Sequence, residues 1–356
     1  MKQIVFTGDW TLENIVGGQR YAFQLLISLD KILSDKNKFE VTLLIPKNSK
    51  FNSKVFKNIH VIKRGKVENR IDKYIWRHIT FPLFVKKNHM LGCDLAGDMP
   101  LWGCSACAIL DCIHEDFPEN FKGHELSLGM YYIKVKRAVH DKKRKLITLT
   151  KESRRQIENH YDVDDNRFKI IGCGWEHILN IAEDDNIFKK INLDCTKDYY
   201  FALGSRYIHK NRKWIIKTAR MNPNSIFVIS GSDDYAKDAE DDGDNNNIIY
   251  TGYLSDEEMK SLMKHCKAFI QPSLCEGFGI PPLEALSLGR DIILSNLSSL
   301  PEIYGDSAYY IDPYNEGIKL DDIACENKDE AKNQVLKKNT WANAAEELYD
   351  LLNDIK

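Results

Sequence analysis

The sequence contains no apolar run close to the roughly 20 residues that a helix needs to span a bilayer. It also lacks a large excess of one charge, since its formal net charge is −2 at pH 7 and 29% of its residues are charged. The first absence predicts that any membrane contact is peripheral. The second gives no indication of nucleic-acid binding or of intrinsic disorder.

Secretory and disulfide signals are absent as well. The first residues, MKQIVFTGDW, read as a strand and not as a basic segment followed by a long apolar run. The nine cysteines are an odd number, spread from Cys93 to Cys325. Both features favour a protein of the reducing cytoplasm.

Two common ligand signatures are incomplete. Cys104 and Cys107 form a C-x-x-C pair, but no second pair follows at a spacing suited to zinc, so we expect buried thiols instead. The glycine pair Gly17 and Gly18 follows the first strand without the G-x-G-x-x-G pattern of dinucleotide sites. No metal and no bound cofactor are therefore predicted.

Short apolar strand-like runs alternate along the chain with amphipathic helical stretches. Residues 2–7 read as the first strand, and residues 19–33 carry leucine and isoleucine at helical spacing. This alternation favours an α/β protein with parallel sheets covered by helices. A chain of 356 residues is long enough for two such domains, and the polar, aperiodic stretch at 183–198 predicts the linker between them.

The most informative stretch is 268–289, which reads AFIQPSLCEGFGIPPLEALSLG. A strand-like segment leads through a glycine-containing loop into a helix that Pro281 and Pro282 begin and that Gly289 ends. Such a loop presents backbone N–H groups and the positive end of a helix dipole, which together bind phosphate without a metal. The residues predicted to face a phosphate are Gly277, Phe278, Gly279 and Ile280.

A glutamate lies on each side of this loop. Because a diphosphate repels carboxylates, Glu276 and Glu284 are better suited to accept hydrogen bonds from sugar hydroxyls. The two glutamates have seven residues between them. That spacing, within the text EGFGIPPLEAL, resembles the signature of the retaining nucleotide-sugar glycosyltransferases of family 4, within the glycosyl transferases group 1.

The resemblance implies the GT-B architecture, in which two Rossmann-like domains with parallel sheets face one another across a cleft. Residues 1–182 would form the N-terminal, acceptor-side domain. After the linker, residues 199–336 would form the domain that binds the nucleotide sugar. Residues 337–356 would be a helix that crosses back to the N-terminal domain.

The same resemblance assigns cationic residues near 205–211. The family has a glycine followed by an arginine here, and then a lysine-asparagine pair. Lys210 and Asn211 match the pair, which implies that Lys210 neutralises the departing diphosphate. At the arginine position this chain has Ser205, with Arg206 next to it as the candidate replacement.

Three further contacts with the donor follow from the resemblance. His114 lies in an I-H-E context where the family has I-H-D, which implies a hydrogen bond to the donor sugar; a satisfied surface or core histidine is the alternative. Gly17 and Gly18 would form a loop against the donor, or simply a tight strand-to-helix turn. Tyr253 would lie against the base through its backbone.

The reaction implied is the transfer of a sugar from a nucleotide diphosphate sugar to a glycan acceptor, with retention and without a metal. Glu276 would hold sugar hydroxyls and Glu284 the ribose hydroxyls. The expected role is assembly of a surface polysaccharide, with mannose from GDP-mannose as the first candidate donor and a lipid-linked acceptor. Alternatives are a UDP-sugar donor, a soluble acceptor, a GT-B nucleotide-sugar epimerase, and a non-catalytic subunit that binds nucleotide sugar.

Two clusters of basic residues, the first interleaved with aromatic residues, suit either anionic lipid headgroups on the inner face of the cytoplasmic membrane or a solvated protein surface. The clusters comprise Arg64, Lys66, Arg70, Lys73, Arg77, Lys86 and Lys87, and then Lys134, Lys136, Arg137, Lys142, Lys143, Arg144 and Lys145.

Overall fold

The structure is a computed structural model that describes residues 1–15, 17–163, 166–231, 246–315, 317–320 and 328–355. The chain divides into two compact units. The first unit comprises Met1–Cys112, Phe121–Cys173 and Trp341–Lys356, and the second comprises Ile113–Asn120 and Gly174–Thr340.

The secondary structure of the described residues alternates between strands and helices. The strands are β1 (Lys2–Thr7), β2 (Phe39–Ile45), β3 (Ile59–Lys63), β4 (Leu91–Asp94), β5 (Ala106–Ala108), β6 (Lys145–Thr148), β7 (Phe168–Ile170), β8 (Tyr199–Leu203), β9 (Ile226–Ser230), β10 (Ile248–Tyr250), β11 (Ala268–Gln271), β12 (Asp291–Ser295) and β13 (Tyr309–Ile311). The helices are α1 (Gly18–Ile32), α2 (Arg70–Ile75), α3 (Phe81–Lys87), α4 (Ile113–Asp116), α5 (Glu125–His140), α6 (Lys151–Tyr161), α7 (Asn186–Lys190), α8 (Arg212–Met221), α9 (Asp256–His265), α10 (Ile280–Ser287), α11 (Leu300–Tyr304), α12 (Asp329–Lys338) and α13 (Trp341–Asp354). Shorter turns used below are a π-helical turn at Trp76–Thr80 and 3₁₀ turns at Glu176–Asn180 and Ile208–Lys210.

The first unit is built on a seven-stranded parallel sheet with the order β3-β2-β1-β4-β5-β6-β7. In β1, the side chains of Ile4, Val5 and Phe6 are all at most 1% exposed. Burial on both faces is typical of a parallel strand between helical layers. Helix α13 belongs to this unit, where the rings of Trp341 and Tyr21 of α1 lie 6.2 Å apart.

The second unit has a six-stranded parallel sheet with the order β10-β9-β8-β11-β12-β13. Its core includes stacked rings of Tyr200 and Phe227, 5.4 Å apart, together with Ile270 and Ile293 from the centre of the sheet. The prediction of an α/β protein with two parallel sheets is confirmed. The strand order reverses between β8 and β11, and ligands of open α/β sheets bind beyond the carboxyl ends of the strands at such a reversal.

The segment 183–198, predicted as a linker, is instead folded into the second unit. Helix α7 buries Ile187 and Phe188 there. The ring of Phe188 packs edge-on against Tyr199, at 6.4 Å, and against His265, at 5.5 Å. Only two apolar residues mark this short helix, so the pattern of the segment was too polar to reveal it.

The segment 113–120 also differs from the prediction, because it groups with the second unit although the chain around it belongs to the first. Strand β5 ends at Ala108, and His114 lies on the separate helix α4. The side-chain amide oxygen of Asn120 accepts a hydrogen bond from the N–H of Ile208 at 2.8 Å, and its Nδ2 lies 2.9 Å from His209 Nδ1. These contacts attach the segment to the loop after β8.

The cysteine prediction holds for the described residues. Cys104 and Cys107 are free, buried thiols, as predicted. Burial raises the pKa of Cys107 to about 12, so this thiol stays protonated and unreactive at neutral pH.

No helix in the described ranges has both the length and the apolar character needed to pass through a lipid bilayer.

Candidate functional site

The strongest candidate site of the second unit lies at the reversal of its strand order. Strands β8 and β11 are hydrogen-bonded neighbours, with Ala268 opposite Tyr200. The loops that follow them therefore leave the sheet side by side. The first loop carries Lys210, and the second carries Glu276.

Lys210 and Glu276 form an ion pair across the two loops. Lys210 Nζ lies 2.7 Å from Glu276 Oε1. The side chain of Glu276 is 8% exposed and that of Lys210 is 32% exposed, so the carboxylate is buried while the ammonium reaches the surface. The pair places one positive charge beside the loop that sequence analysis predicted as a phosphate site.

Two neutral side chains fix the Glu276 carboxylate further. Gln271 Nε2 donates to Oε1 at 3.0 Å and Ser273 Oγ donates to the same oxygen at 2.7 Å. Three donors on one oxygen hold the plane of the carboxylate, which is the preorganisation that a substrate-binding group needs. Neither donor is predictable from the sequence, since a glutamine in a strand and a serine after it give no functional signal by themselves.

The backbone of Glu276 is held by a second loop, between β12 and α11. Its N–H donates to Ser298 Oγ at 3.1 Å, and its carbonyl oxygen accepts from Ser298 Oγ at 2.9 Å and from Ser299 Oγ at 2.8 Å. Ser298 adopts a φ of 57°, in the left-handed region. A contact that depends on such a backbone turn is not visible in the sequence.

Glu284 is held in the same unit by a histidine that sequence analysis did not single out. His177 Nε2 lies 2.7 Å from Glu284 Oε1, and the two side chains are 4% and 2% exposed. His177 comes from the 3₁₀ turn at Glu176–Asn180, 107 residues earlier in the chain. A buried carboxylate with one oxygen fixed in this way is suited to accept hydrogen bonds from a pair of hydroxyls.

The loop between the glutamates begins α10 as predicted, with prolines in the first turn of the helix. Gly279 precedes the helix with a φ of 85°, and a Cβ there would lie 2.8 Å from Leu300 Cδ2. Any other residue would therefore be strained by conformation and by space. Phe278 is buried, and the hydroxyl of Tyr304 donates to the carbonyl of Gly279. The buried ring of Phe278 and the hydrogen bond from Tyr304 thus hold the part of the loop that lies between Gly277 and Ile280.

Lys210 is positioned by its neighbour Asn211. Asn211 has a φ of 53° and links the 3₁₀ turn Ile208–Lys210 to α8. Its amide donates to the carbonyls of Pro272, at 3.2 Å, and Pro313, at 2.9 Å. The asparagine of the lysine-asparagine pair therefore fixes the direction in which Lys210 leaves the backbone.

His114 lies in the second unit together with the ion pair. The segment 113–120 that carries His114 contacts this unit through Asn120, as described above. It also contacts the loop of Glu276, because Cys275 Sγ lies 4.0 Å from Asp116 Oδ2. The charge of His114 also contributes to the lowered pKa of His209, after burial and the charge of Lys210. The structure therefore brings His114 to the neighbourhood of the Lys210 turn.

His209 gives a pH-dependent prediction for stability. Burial and the adjacent Lys210 lower its pKa from 6.5 to about 4. Between these values the unfolded chain binds a proton that the folded chain does not, so stability is full above pH 6.5 and falls as the pH decreases towards 4. We expect His209→Gln to reduce the loss of unfolding free energy between pH 7 and pH 4.5 by about 1–3 kcal/mol. Urea unfolding of both proteins at the two pH values measures this, and an equal loss in both would contradict it.

The remaining predicted donor contacts of the second unit lie at its surface. Arg206 is exposed, with its guanidinium 5.8 Å from the ring centroid of Tyr207. Ser205 Oγ accepts a hydrogen bond from the N–H of Tyr207 at 3.2 Å. Tyr253 is 79% exposed and follows Gly252, whose carbonyl accepts from Gly231. The structure shows no contact of Arg206 with Glu276, so its replacement of the missing arginine stays a prediction.

Gly17 and Gly18 lie in the first unit. Gly17 precedes α1 with a φ of 52°, and a Cβ there would meet nothing within 4 Å. A Cβ on Gly18 would lie 2.6 Å from the carbonyl oxygen of Ala96. Gly18 is thus required for the close approach of α1 to the loop after β4. Gly17 is required because its backbone has a positive φ, although a side chain there would have space. The predicted contact of this loop with a donor stays a prediction.

One group of described residues could hold a metal ion. Ligand atoms of Glu183, Asp185 and His265 lie within 4.8 Å of one another. However, Glu183 already pairs with Lys264 at 2.8 Å and with Lys260 at 3.9 Å. These lysines supply the positive charge that a metal would otherwise bring.

Residues 183–342 match the sequence profile of the family described as glycosyl transferases group 1. The chain is 23% identical over 268 residues to the O-antigen chain mannosyltransferase RfbU of Salmonella typhimurium, and the alignment covers 72% of each protein. It is 28% identical over 186 residues to the O-antigen chain mannosyltransferase B of Escherichia coli, and that alignment covers 49% of each protein.

A solved structure matches nearly the whole chain. The crystal structure of WaaG, described as a glycosyltransferase involved in lipopolysaccharide biosynthesis, has a TM-score of 0.60 with 15% identity, over 99% of this chain and 96% of that one. This likeness shows the GT-B fold, as predicted.

Proposed function

We propose that the chain, whose residues 183–342 match the profile of the glycosyl transferases group 1, transfers a sugar from a nucleotide diphosphate sugar to a hydroxyl of a glycan acceptor. The observation that carries this proposal is the ion pair of Lys210 and Glu276 beside the start of α10. At this place a cation and backbone N–H groups are available to bind a diphosphate. Carboxylates next to them are available to accept hydrogen bonds from sugar hydroxyls.

In the proposed reaction, the acceptor oxygen forms a bond to the anomeric carbon as the bond from that carbon to the diphosphate oxygen breaks. The leaving phosphate takes the proton of the acceptor hydroxyl on the same face of the sugar. The products are a glycoside with retained configuration and a nucleoside diphosphate. No covalent nucleophile is required, and retention and membership of family 4 are part of the proposal.

The developing charge on the diphosphate would be met by Lys210 and by the N–H groups after Glu276. Both belong to loops that are fixed before substrate arrives, so little reorganisation is needed during the reaction. Arg206 would add a second cation from the same loop as Lys210. This arrangement would support transfer without a metal ion.

The carboxylates would bind the sugar parts of the donor. Glu276 would accept hydrogen bonds from the transferred sugar, and His114 would contact one of its hydroxyls. Glu284, with one oxygen fixed by His177 at 2.7 Å, would accept from the two ribose hydroxyls. The base would lie near the backbone of Tyr253.

We further propose GDP-mannose as the donor and a lipid-linked glycan, at the inner face of the cytoplasmic membrane, as the acceptor in surface polysaccharide assembly. The support for mannose is that two relatives carry the name O-antigen chain mannosyltransferase.

A nucleotide panel tests the donor site. We expect one of GDP, UDP, ADP and dTDP, with GDP foremost, to raise the melting temperature of the wild type by several degrees. A ligand at 100 times its dissociation constant stabilises a fold by about 2.7 kcal/mol. Glu284→Ala should lose most of this stabilisation, because the ribose hydroxyls lose their acceptor.

The control for this panel is Glu257→Ala, which removes an exposed glutamate of α9 in the same unit. It should keep the full shift. Stabilisation by UDP alone would replace GDP-mannose with a UDP-sugar as the donor. If no nucleotide stabilised the wild type, the proposed activity would be wrong even though the fold stands.

A further inference from the structure

A stripe of exposed apolar side chains runs along one helical segment of the first unit. The segment is continuous from α2 through the π-helical turn Trp76–Thr80 to α3. We call the following residues the exposed stripe: Ile71 at 72% exposed, Ile75 at 43%, Ile79 at 48% and Leu83 at 52%. They recur every four residues, so they share one side of the segment.

The opposite side of the same segment is already anchored in the core. Trp76, Phe81 and Val85 are at most 7% exposed and pack in a cluster with Val5 of β1. Arg77, also buried, pairs with Asp9 at 2.5 Å. A surface helix normally has one apolar face. Here the core takes one face, and the exposed stripe is a second apolar face whose side chains are 43–72% exposed.

Helix α5 extends the apolar surface. Leu126 is 93% exposed and Ile133 is 56% exposed. Between them on the same side of the helix lies Met130, whose Sδ is 3.8 Å from the hydroxyl of Tyr74. That contact joins α5 to the segment of the exposed stripe, and we take the exposed apolar residues of these two neighbouring elements together as one candidate surface. Contiguous apolar surfaces of this kind mark interaction sites.

Basic side chains surround this surface. Arg70 precedes the exposed stripe, Lys86 and Lys87 follow it, and Lys136 and Arg137 lie on α5; all five are exposed. Residues 70–87 contain one acidic residue, Asp72, and helix α5 contains one, Glu125 at its first position. The chain as a whole carries a net charge of −2, so this concentration of positive charge is local.

We propose that this surface docks the protein on an anionic lipid bilayer. The exposed stripe, Leu126 and Ile133 enter the boundary between headgroups and acyl chains, and the surrounding lysines and arginines contact the anionic headgroups. An amphipathic face with long apolar side chains and basic neighbours binds membranes in this way. A second copy of the chain is a poor occupant, because a symmetric contact would bring two basic surfaces together.

The side chain of Arg77 links the segment of the exposed stripe to the edge of the sheet in the first unit. It extends from the side of the segment away from the bilayer towards Asp9, which follows β1. The strand order of the first unit reverses between β1 and β4, so this is where that sheet is expected to bind a ligand. Docking through the exposed stripe therefore places the ligand-binding edge of the first unit close to the membrane surface.

Vesicle flotation tests the apolar part of the proposal. The wild type is mixed with vesicles of phosphatidylcholine, with or without an equal share of phosphatidylglycerol. We expect binding to the anionic vesicles and much less to the neutral ones. The triple variant Ile71→Ser, Ile79→Ser, Leu83→Ser should lose binding by roughly 10- to 100-fold, since each change removes apolar area that would leave water.

The matched control replaces exposed apolar residues elsewhere. Val55, Ile62 and Met221 are 39%, 39% and 42% exposed, and the serine variants at these positions should bind vesicles as the wild type does. All replaced side chains are at the surface, so both triple variants are expected to fold. Their melting temperatures and nucleotide-induced shifts should equal those of the wild type.

Charge reversal tests the electrostatic part. Arg70→Glu, Lys86→Glu and Lys87→Glu together should lower binding to anionic vesicles by at least about fivefold for each charge removed. The loss should shrink as salt is added, because salt screens these contacts. Reversal of Lys50, Lys54 and Lys57, exposed lysines of the same unit, should have little effect.

Three results would overturn the proposal: equal flotation of the wild type and the stripe variant, equal loss in the control variant, or a dimer that dissociates only in the stripe variant. The last result would assign the surface to a second copy of the chain. The vesicles contain neither donor nor acceptor. The outcome therefore does not depend on the proposed sugar transfer. A negative flotation result would contradict membrane docking alone, and a negative nucleotide panel would contradict sugar transfer alone.

Discussion

Replacement of Lys210 by methionine is expected to lower kcat of sugar transfer by about 100- to 1000-fold, the usual effect of removing one preorganised group that stabilises developing negative charge. Methionine keeps the length and apolar stem of lysine but removes the ammonium that lies 2.7 Å from Glu276 Oε1. In the proposed reaction, the leaving diphosphate then loses the cation that Lys210 supplies. The measurement is initial rate against donor concentration, in buffer containing EDTA.

Two further variants define the Lys210 result. Lys213→Met removes an exposed lysine from the first turn of α8 and should leave kcat within about twofold. Lys210→Arg keeps the charge in a different shape and should retain an intermediate rate. Unchanged transfer by Lys210→Met would remove this residue from the reaction, and the charge of Arg206 would be the next to test.

The second large effect is expected from Glu276→Gln. The glutamine matches the size of glutamate but carries no charge, so the Lys210 ammonium loses its partner and the sugar hydroxyls lose a strong acceptor. We expect transfer to fall at least about 100-fold. Stability should fall by only about 1–2 kcal/mol, because Lys210 is 32% exposed and water replaces part of the lost contact.

The comparison of these two quantities separates a functional role from a structural one. Urea unfolding gives the stability change, and the rate is measured at a temperature where the variant is fully folded. Glu257→Gln, at an exposed site of the same unit, is the control for both. An unchanged rate in the fully folded Glu276→Gln protein would falsify a direct role of Glu276 in binding the sugar.

Much of the fold was predictable because it depends on local patterns. β1 was predicted at its observed bounds, and the start of α10 followed from Pro281 and Pro282. The side chains of Thr150 and Ser255 accept hydrogen bonds at the starts of α6 and α9, the usual role of threonine and serine at the N-cap. Residues that are close in sequence determine each of these features.

The failures have a shared cause in contacts between distant residues. The stretch 183–198 is polar, yet Phe188 finds a place against Tyr199 and His265. The segment 113–120 follows a strand of the first unit, yet Asn120 bonds to the loop after β8. Neither contact can be deduced from periodicity, because each requires a partner that the fold brings from elsewhere.

The site shows the same division. The sequence determined the pair Glu276 and Glu284, the loop between them and the helix after it, since these form one local motif. The tertiary structure decided what holds the pair, because His177 reaches Glu284 across 107 residues and Lys210 reaches Glu276 across 66.

The apolar surface of the first unit belongs to the tertiary structure as well. The sequence showed basic residues mixed with aromatic ones between 64 and 87, but it could not show which apolar side chains the core would take. Packing of Trp76 and Phe81 against the sheet leaves Ile71 and Leu83 outside. The sequence by itself thus determined the elements and the chemistry of the motif. The order of the strands and the packing of the helices decided which residues meet, because those contacts form only when the sheet is assembled.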